Sequence, residues 1–389
     1  MQKRHFLRDV TLACLVLAGT TLAVAKETFK IGLILPVTGP FASTGKQVEA
    51  GVRLYMAQNG DSVAGKQVEL IVKDDTGVPD VTKRLAQELL VNDKVNVLAG
   101  FGLTPLAMAT APLATQSKTP MMVMAAATSS ITLASPFIVR SSFTVPQVVT
   151  VLADWAAKNN IKRVVSLVSD YAPGVDSEKY FKDQFTANGG SVIETLRVPL
   201  RNPDFAPFLQ KVRDLKPDAL FTFVPSGAGS ALMKQFTERG LDKAGIRMIA
   251  EGSVTDDDIL NNMGGAALGV VTAHHYSASH NSALNRKFVE AFGKANNGLR
   301  PNFMAVGGYD GMHVIYEAAK AAKGANGEAL LAAMKGQIFE SPRGPMFIDA
   351  QTRDVVQNIY IRKVEKVGDQ LFNQEFETVK DVKDPGKAR

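Results

Sequence analysis

The chain alternates between short apolar runs of strand character and longer segments whose apolar residues recur at helical spacing. The runs at 29–35, 68–73, 95–99 and 121–124 read as strands, and 43–58, 79–91 and 104–116 read as helices between them. A run at 137–140 reads as a strand crossing into a second series of the same construction. There, helices over 148–158, 175–187, 205–215 and 230–239 separate strands over 163–168, 191–196, 219–224, 247–250 and 269–272. Helices over 281–296, 303–323 and 328–334 follow, and 345–348 with 355–364 read as strands of a hairpin. The tail 381–389 is charged and contains Pro385 and Gly386, so it is expected to be loose.

A repeated strand–helix order argues for parallel sheets covered by helices on both faces, an α/β doubly wound construction. Right-handed crossovers place all strand-to-helix loops on one edge of each sheet, where ligands of such folds bind. The stretch 99–130 concentrates this chemistry. Its two strands each end in a small-residue loop with a hydroxyl, Thr104-Pro105 after the first and Thr128-Ser129-Ser130 after the second. Thr before Pro reads as a helix start, with Thr104 at the N-cap and Pro105 at the first helical position. Such ends carry unpaired N–H groups and the positive end of the helix dipole. On neighbouring strands they suit one small carboxylate; they are equally two ordinary strand-to-helix turns.

Composition narrows the setting. At 46% hydrophobic and 21% charged residues, the chain is an ordinary globular one, and 389 residues are long for a single core. Two lobes are expected, exchanging strands through several crossings because no low-complexity linker separates them. The first 25 residues have the form of a secretory signal: Lys3, Arg4 and Arg8, an apolar run over 10–22, then the small-x-small site Ala23-Val-Ala25. Cleavage after Ala25 removes 25 of 389 residues and leaves 364, and takes +2 of the net charge of +6, leaving +4. It also removes Cys14, the only cysteine, so the mature chain forms no disulfide. The basic residues are scattered among acids, which excludes a nucleic-acid stripe. No later run is long and apolar enough for stable membrane insertion.

Several constellations fall short of a catalytic or metal site. Gly100-Phe-Gly102 and Gly227-Ala-Gly229 follow strands but lack the third glycine of a dinucleotide loop. His274, His275 and His280 have no Glu or Cys at metal spacing and read as a polar strand end. Asp256-Asp257-Asp258 follow Thr255 as acids in the first turn of a helix. There is no Gly-x-Ser-x-Gly elbow. What remains is a set of loops with aromatic and polar residues, among them Asp170-Tyr171, Glu251-Gly-Ser253, Tyr276 and Tyr309-Asp310, suited to a small-molecule site.

These phrases, taken in order, resemble the periplasmic solute-binding proteins of branched-chain amino-acid-type (Leu/Ile/Val-binding-like) ABC transporters, over essentially the whole mature length. The resemblance is carried by Ile31-Gly-Leu-Ile-Leu-Pro-Val-Thr-Gly-Pro40 with Phe41 and Gly45, and by Val72-Lys-Asp-Asp-Thr76. Ala109-Thr-Ala-Pro112, Ala125-Ala-Ala-Thr128, Asp170-Tyr-Ala-Pro-Gly174, Glu251-Gly252 and Tyr309-Asp310-Gly311 complete it. It implies the type I periplasmic-binding-protein fold: two doubly wound parallel-sheet lobes joined by three crossings, 27–145 plus 275–353 and 146–274 plus 354–389. It also implies a ligand in the cleft between them, a membrane permease as partner, no cofactor, no metal and no catalysis. Carried over residue by residue, Thr104 binds the ligand carboxylate, Ala126 gives a backbone group and Thr128 a hydroxyl. From the far lobe come Tyr171 and Glu251, the acid that takes an α-ammonium group, and Tyr309 matches a later tyrosine.

The departures bear on the ligand. Leu103-Thr104-Pro105 stands where amino-acid binders often have a pair of hydroxyl residues, and Phe101 and Met124 lie beside the expected site. Ala273-His-His-Tyr-Ser277 and Glu340-Ser-Pro-Arg-Gly344 resemble the branch that takes up aromatic carboxylates, whereas Glu251 argues for an amine. A hydrophobic amino acid and an aromatic acid both stay open. So do a sensor that hands its bound form to a membrane receptor, and, as a rival of another class, an exported α/β enzyme.

Overall fold

The computed structural model describes residues 27–387; the expected signal segment 1–25 lies outside them. The first series comprises β1 (Thr28–Leu35), α1 (Ala42–Asn59), β2 (Ser62–Val63), β3 (Lys66–Asp74), α2 (Pro79–Glu88) and β4 (Val97–Gly100). It continues with α3 (Thr104–Ser117), β5 (Met121–Val123) and β6 (Ile138–Arg140). The second comprises α4 (Val145–Lys158), β7 (Arg163–Ser169), α5 (Ala172–Ala187), β8 (Ser191–Val198), α6 (Ala206–Leu215) and β9 (Ala219–Phe223). Then come α7 (Gly229–Glu238), β10 (Arg247–Glu251), α8 (Leu260–Met263) and β11 (Val271–His274). The chain ends with α9 (Ala283–Ala295), α10 (Phe303–Ala321), α11 (Gly327–Met334), β12 (Ile338–Ser341), β13 (Gly344–Ile348), β14 (Val355–Val367) and β15 (Gln370–Val382).

These strands form two sheets. The first runs β2-β3-β1-β4-β5-β6, parallel except for the short β2. The second has parallel β11-β10-β9-β7-β8, extended by antiparallel β14. One edge of β14 serves two partners in succession, β13 at 355–357 and β11 at 360–363, while β15 covers its other edge. Strands buried on both faces need continuous apolar runs. In β1 and β4, accordingly, Phe29, Ile31, Leu33, Ile34, Leu35, Val97, Leu98 and Ala99 are all fully buried. Against the first sheet lies α10, buried on most of its circumference, and its approach to α1 depends on glycine. A Cβ at Gly51 would stand 2.0 Å from Ala305 O, and one at Gly308 would stand 2.3 Å from Val48 O.

Three expectations are corrected. The segment 275–353 divides: α9 and α10 pack on α1, but β12 and β13 pair through β14 with the second sheet. Residues 370–382, assigned no element from sequence, form the long strand β15. The tail beyond it is held through Lys387: Asp384 accepts from Ser129 Oγ at 2.6 Å, and Lys387 Nζ reaches Thr132 Oγ1 at 2.6 Å and Asp354. A composition that looked loose is fixed by ion pairs and hydrogen bonds that only the folded chain brings together. No helix among the described residues is long and apolar enough to cross a membrane.

Candidate functional site

Strands β4 and β5 are hydrogen-bonded neighbours, so their two loops meet, as expected. Gly100 and Phe101 turn the first loop at φ of +107° and +65°. The left-handed turn at a phenylalanine costs about 1–2 kcal/mol. It sets Phe101 N–H on Ile34 O at 2.9 Å and Phe101 O on Ala126 N–H at 3.0 Å, joining the two loops. Helix α3 then begins one residue earlier than the sequence reading placed it: Leu103 is the N-cap, and Thr104 is the first helical residue with no capping bond. Freed from capping, Thr104 Oγ1 lies 2.8 Å from Thr128 Oγ1.

Across from these loops stand the ends of β7, β9 and β10, and between the two sheets lies a cleft of about 400 Å³, counting its open mouth. One wall is Thr44, Thr104, the 125–127 loop, Phe303 and Met304; the other is Tyr171, Phe223, Ser226 and Ser253, with Phe143 between them. No side chain lining it is charged. Fully buried Arg140 shapes the first wall: Nη1 donates to Ala126 O at 3.2 Å and Phe143 O at 2.9 Å, and Nη2 donates to Thr128 O at 2.7 Å. With its carbonyls turned to this guanidinium, the loop leaves the N–H groups of Ala127 and Thr128 without a protein acceptor among the described residues. Together with the start of α3 they make an end whose chemistry suits an anion.

The cleft is closed at its rim. Phe41, Leu103 and Leu106 of one side pack with Tyr171 and Leu200 of the other. Arg201 Nη2 donates to Gly77 O at 2.9 Å and its guanidinium lies 5.4 Å from the Phe41 ring centre. Asp258 accepts from Ser43 Oγ at 3.1 Å and Asn302 Nδ2 at 3.0 Å.

Of the residues expected at the site, Thr104, Ala126 and Tyr171 line the cleft. Thr128 stands behind Thr104. Ala126 has no free backbone donor, because Phe101 holds its N–H; its two successors supply that function instead. Phe101 is fully buried and supports the loop rather than facing the cleft. Tyr309 is elsewhere: its hydroxyl donates to Gln58 Oε1 at 2.7 Å, and its ring packs on Tyr55 and Phe288 at 5.1 and 5.0 Å. The start of the same helix reaches the cleft through Phe303 and Met304, which the sequence reading missed. Asn302, whose Oδ1 accepts from Met304 N at 2.9 Å, was the available signal for that helix end. Phe143, Phe223 and Ser226 were also missed.

Glu251 differs most from expectation. It is fully buried and does not line the cleft; Ser253 does, and both its N–H, at 3.1 Å, and its hydroxyl contact Glu251 Oε2. Burial pushes the Glu251 carboxyl up to about 7, against the opposing pull of the Ser253 bonds and the Arg362 charge. Ser253 has one hydroxyl proton, and Val224 O accepts it at 2.8 Å. Glu251 Oε2 is the alternative acceptor of that proton, a bond that favours the charged carboxylate and offsets part of the effect of burial. Tyr171 stays protonated, since burial pushes its phenol up.

The other sequence clusters resolve as structural groups. His274 and His275 are buried rather than at a polar strand end: Phe143 stacks on His275 at 4.7 Å and Phe303 meets His274 edge-on at 4.3 Å. Burial holds both well below the usual histidine range, hence neutral. His280 Nδ1 meets Glu375 Oε2 at 2.8 Å. Asp256, Asp257 and Asp258 precede α8 instead of opening it, and all three are raised by burial. No group of three or more His, Cys, Asp or Glu among the described residues is placed to hold a metal ion.

Comparison with known proteins fits this geometry. A family model described as periplasmic binding protein matches residues 28–369. The chain is 43% identical over 386 residues to Leu/Ile/Val-binding protein homolog 6 of Brucella abortus (strain 2308), spanning 98% of this chain and 99% of that one. It is 62% identical to an ABC-transporter solute-binding protein of Rhodopseudomonas palustris BisB5 solved with 3,4-dihydroxybenzoic acid, at a TM-score of 0.91 over 93% of this chain and 99% of that one. A solute-binding protein of Rhodopseudomonas palustris HaA2, solved with p-hydroxybenzoic acid, is 41% identical, with a TM-score of 0.90 over 93% and 100%.

Proposed function

The chain belongs to the periplasmic binding protein family, as a solute-binding protein of the Leu/Ile/Val-binding type, and from that premise we propose that its solute is an aromatic carboxylate of the hydroxybenzoate kind. One observation carries the choice over an amino acid: no side chain lining the cleft is charged, and Glu251 is buried behind Ser253 with its carboxyl raised to about 7. Burying an ammonium group without a carboxylate partner costs several kcal/mol. An aromatic ring, by contrast, gains about 4 kcal/mol from burying roughly 150 Å². Relatives solved with hydroxybenzoates, one of them 62% identical, support the same reading.

In the proposed mechanism the carboxylate docks on the first wall, accepting from Thr104 Oγ1, Ala127 N–H and Thr128 N–H at the positive end of α3. The ring lies among Phe143, Phe303, Tyr171 and Phe223. The second wall closes over it, and the Phe41–Leu200 seam with Arg201 holds the closed form. The closed form, exported with cleavage after Ala25, delivers its ligand to a membrane permease.

The test is a thermal-shift and calorimetric screen of 4-hydroxybenzoate, 3,4-dihydroxybenzoate, benzoate and leucine on the wild type and Glu251→Gln. Ligand at 100 times its Kd adds about 2.7 kcal/mol of stability. The aromatic acids are expected to shift both proteins equally, because glutamine reproduces the donor of the protonated acid. Binding of leucine alone, abolished in Glu251→Gln, would refute the reading in favour of an amino acid held through its ammonium group.

A further inference from the structure

The wall opposite Thr104 carries a hydroxyl that the protein does not use. Ser226 follows β9 in the turn Pro225-Ser226-Gly227, where Gly227 sits at φ +93°. It lines the cleft and is only 5% exposed, yet its Oγ makes no hydrogen bond among the described residues. Behind it is Asp256, close enough for the hydroxyl to favour its ionisation, but Asp256 Oδ1 also lacks a well-formed partner. A buried cleft-lining hydroxyl whose one polar neighbour is a poorly aligned carboxyl is uncommon in a folded protein and calls for an explanation.

Other polar groups of that wall are accounted for. The Ser253 proton goes to Val224 O, and its oxygen meets Glu251. Tyr171 is half-buried, so its hydroxyl can turn to water. Ser226 has neither recourse, and it lines the cleft on the wall opposite Thr104.

We propose that Ser226 is a specificity-determining residue for the ring hydroxyl of the bound acid. The inference rests on the aromatic-acid reading above. The phenolic O–H donates to Ser226 Oγ, and the Ser226 proton turns to Asp256 Oδ1. This chain of two hydrogen bonds satisfies both unpartnered atoms at once, and a ligand without the ring hydroxyl leaves the first unmade. A site built to bond a ligand hydroxyl discriminates strongly against the analogue that lacks it.

Calorimetric titration of 4-hydroxybenzoate and benzoate into wild type, Ser226→Ala and Ser226→Gly tests this. The wild type is expected to prefer 4-hydroxybenzoate by tenfold or more. Both variants should lose most of that preference, read as the ratio of the two Kd values, since a Kd ratio does not depend on the fraction of folded protein. A preference retained in both variants, or equal losses for the two ligands, overturns the role of Ser226 while leaving the aromatic reading intact. A wild type that binds leucine and neither aromatic acid overturns both.

Discussion

The two threonines of the carboxylate end are arranged in series, and this makes their energetics separable. Thr104 lines the cleft and Thr128 lies behind it, with 2.8 Å between their hydroxyl oxygens. For Thr104 to donate to a carboxylate, its oxygen must accept from Thr128, so Thr128 acts by fixing the Thr104 rotor and polarising its O–H. A hydrogen bond to a charged group is worth about 1.5–3 kcal/mol and a neutral one about 1 kcal/mol. Thr104→Val should therefore raise Kd about 30-fold, and Thr128→Val about fivefold. Once Thr104 is valine, the Thr128 hydroxyl has nothing to orient, and the double variant should bind like Thr104→Val alone, about 30-fold weaker rather than the ~150-fold of independent sites. Neither hydroxyl caps its helix, but each substitution breaks the buried bond between the two threonines, so the unliganded proteins should lose about 1 kcal/mol of stability while remaining folded. The assay is isothermal titration of 4-hydroxybenzoate into the four proteins of the cycle. Should Thr128→Val cost the same factor in both backgrounds, Thr128 touches the ligand itself and the serial arrangement is wrong.

Two further outcomes follow from named groups. The Glu251 carboxyl is raised from 4.5 in the unfolded chain to about 7 in the fold, so the folded state holds a proton that the unfolded state releases between those values. Stability is highest below about pH 4.5 with respect to this group and falls, on the order of 3 kcal/mol, as pH rises through 7. Denaturant titrations at pH 5, 6, 7 and 8 should show Glu251→Gln losing that decline; an unchanged slope would assign it to another group. Arg201→Ala removes the bond to Gly77 O and the contact with the Phe41 face, about 1 kcal/mol of the closed form. Kd should rise roughly fivefold through faster release, with the association rate unchanged in stopped-flow fluorescence; a slowed association instead would mean Arg201 acts on the open form.

The parallel core and the meeting of the β4 and β5 loops were legible because they rest on local signals: apolar runs, helical spacing and Thr-Pro. What escaped the sequence reading depends on distant partners. Tyr309 looks as exposed to a cleft as Phe303, and only the turn of α10 against α1, set by the Gly51 and Gly308 approaches, sends one outward and the other inward. Ala126 qualifies as a backbone donor until the left-handed turn at Phe101 takes its N–H. Glu251 reads as a charged ligand residue, but it is buried behind Ser253 rather than lining the cleft, and burial raises its carboxyl to about 7. The strand Gln370–Val382 alternates too weakly to announce itself and exists because β14 offers a full edge.

The passages between the two sheets raise a problem that three arginines answer. A chain leaving a sheet loses its ladder partners, and its carbonyls are then buried without donors at about 1–3 kcal/mol each. Arg343 Nη1 takes Ser142 O at 2.8 Å, and its Nη2 takes Ser141 O while pairing with Asp310 at 2.8 Å. Arg362 takes Gly252 O at 3.1 Å, Thr272 Oγ1 at 3.1 Å and Tyr276 O. Arg140 joins the 126–128 loop to Asp354 at 2.9 Å, where the chain returns to the second sheet. Each needs several donors in a fixed plane, which the guanidinium has and an ammonium lacks. The bonds that an opening motion would sever without leaving a buried charge alone are therefore those at the rim, where exposed Arg201 lies over Phe41. The arginines hold the crossings and the 126–128 loop in one shape, which leaves the proposed closure to the rim contacts and to the ligand between the walls.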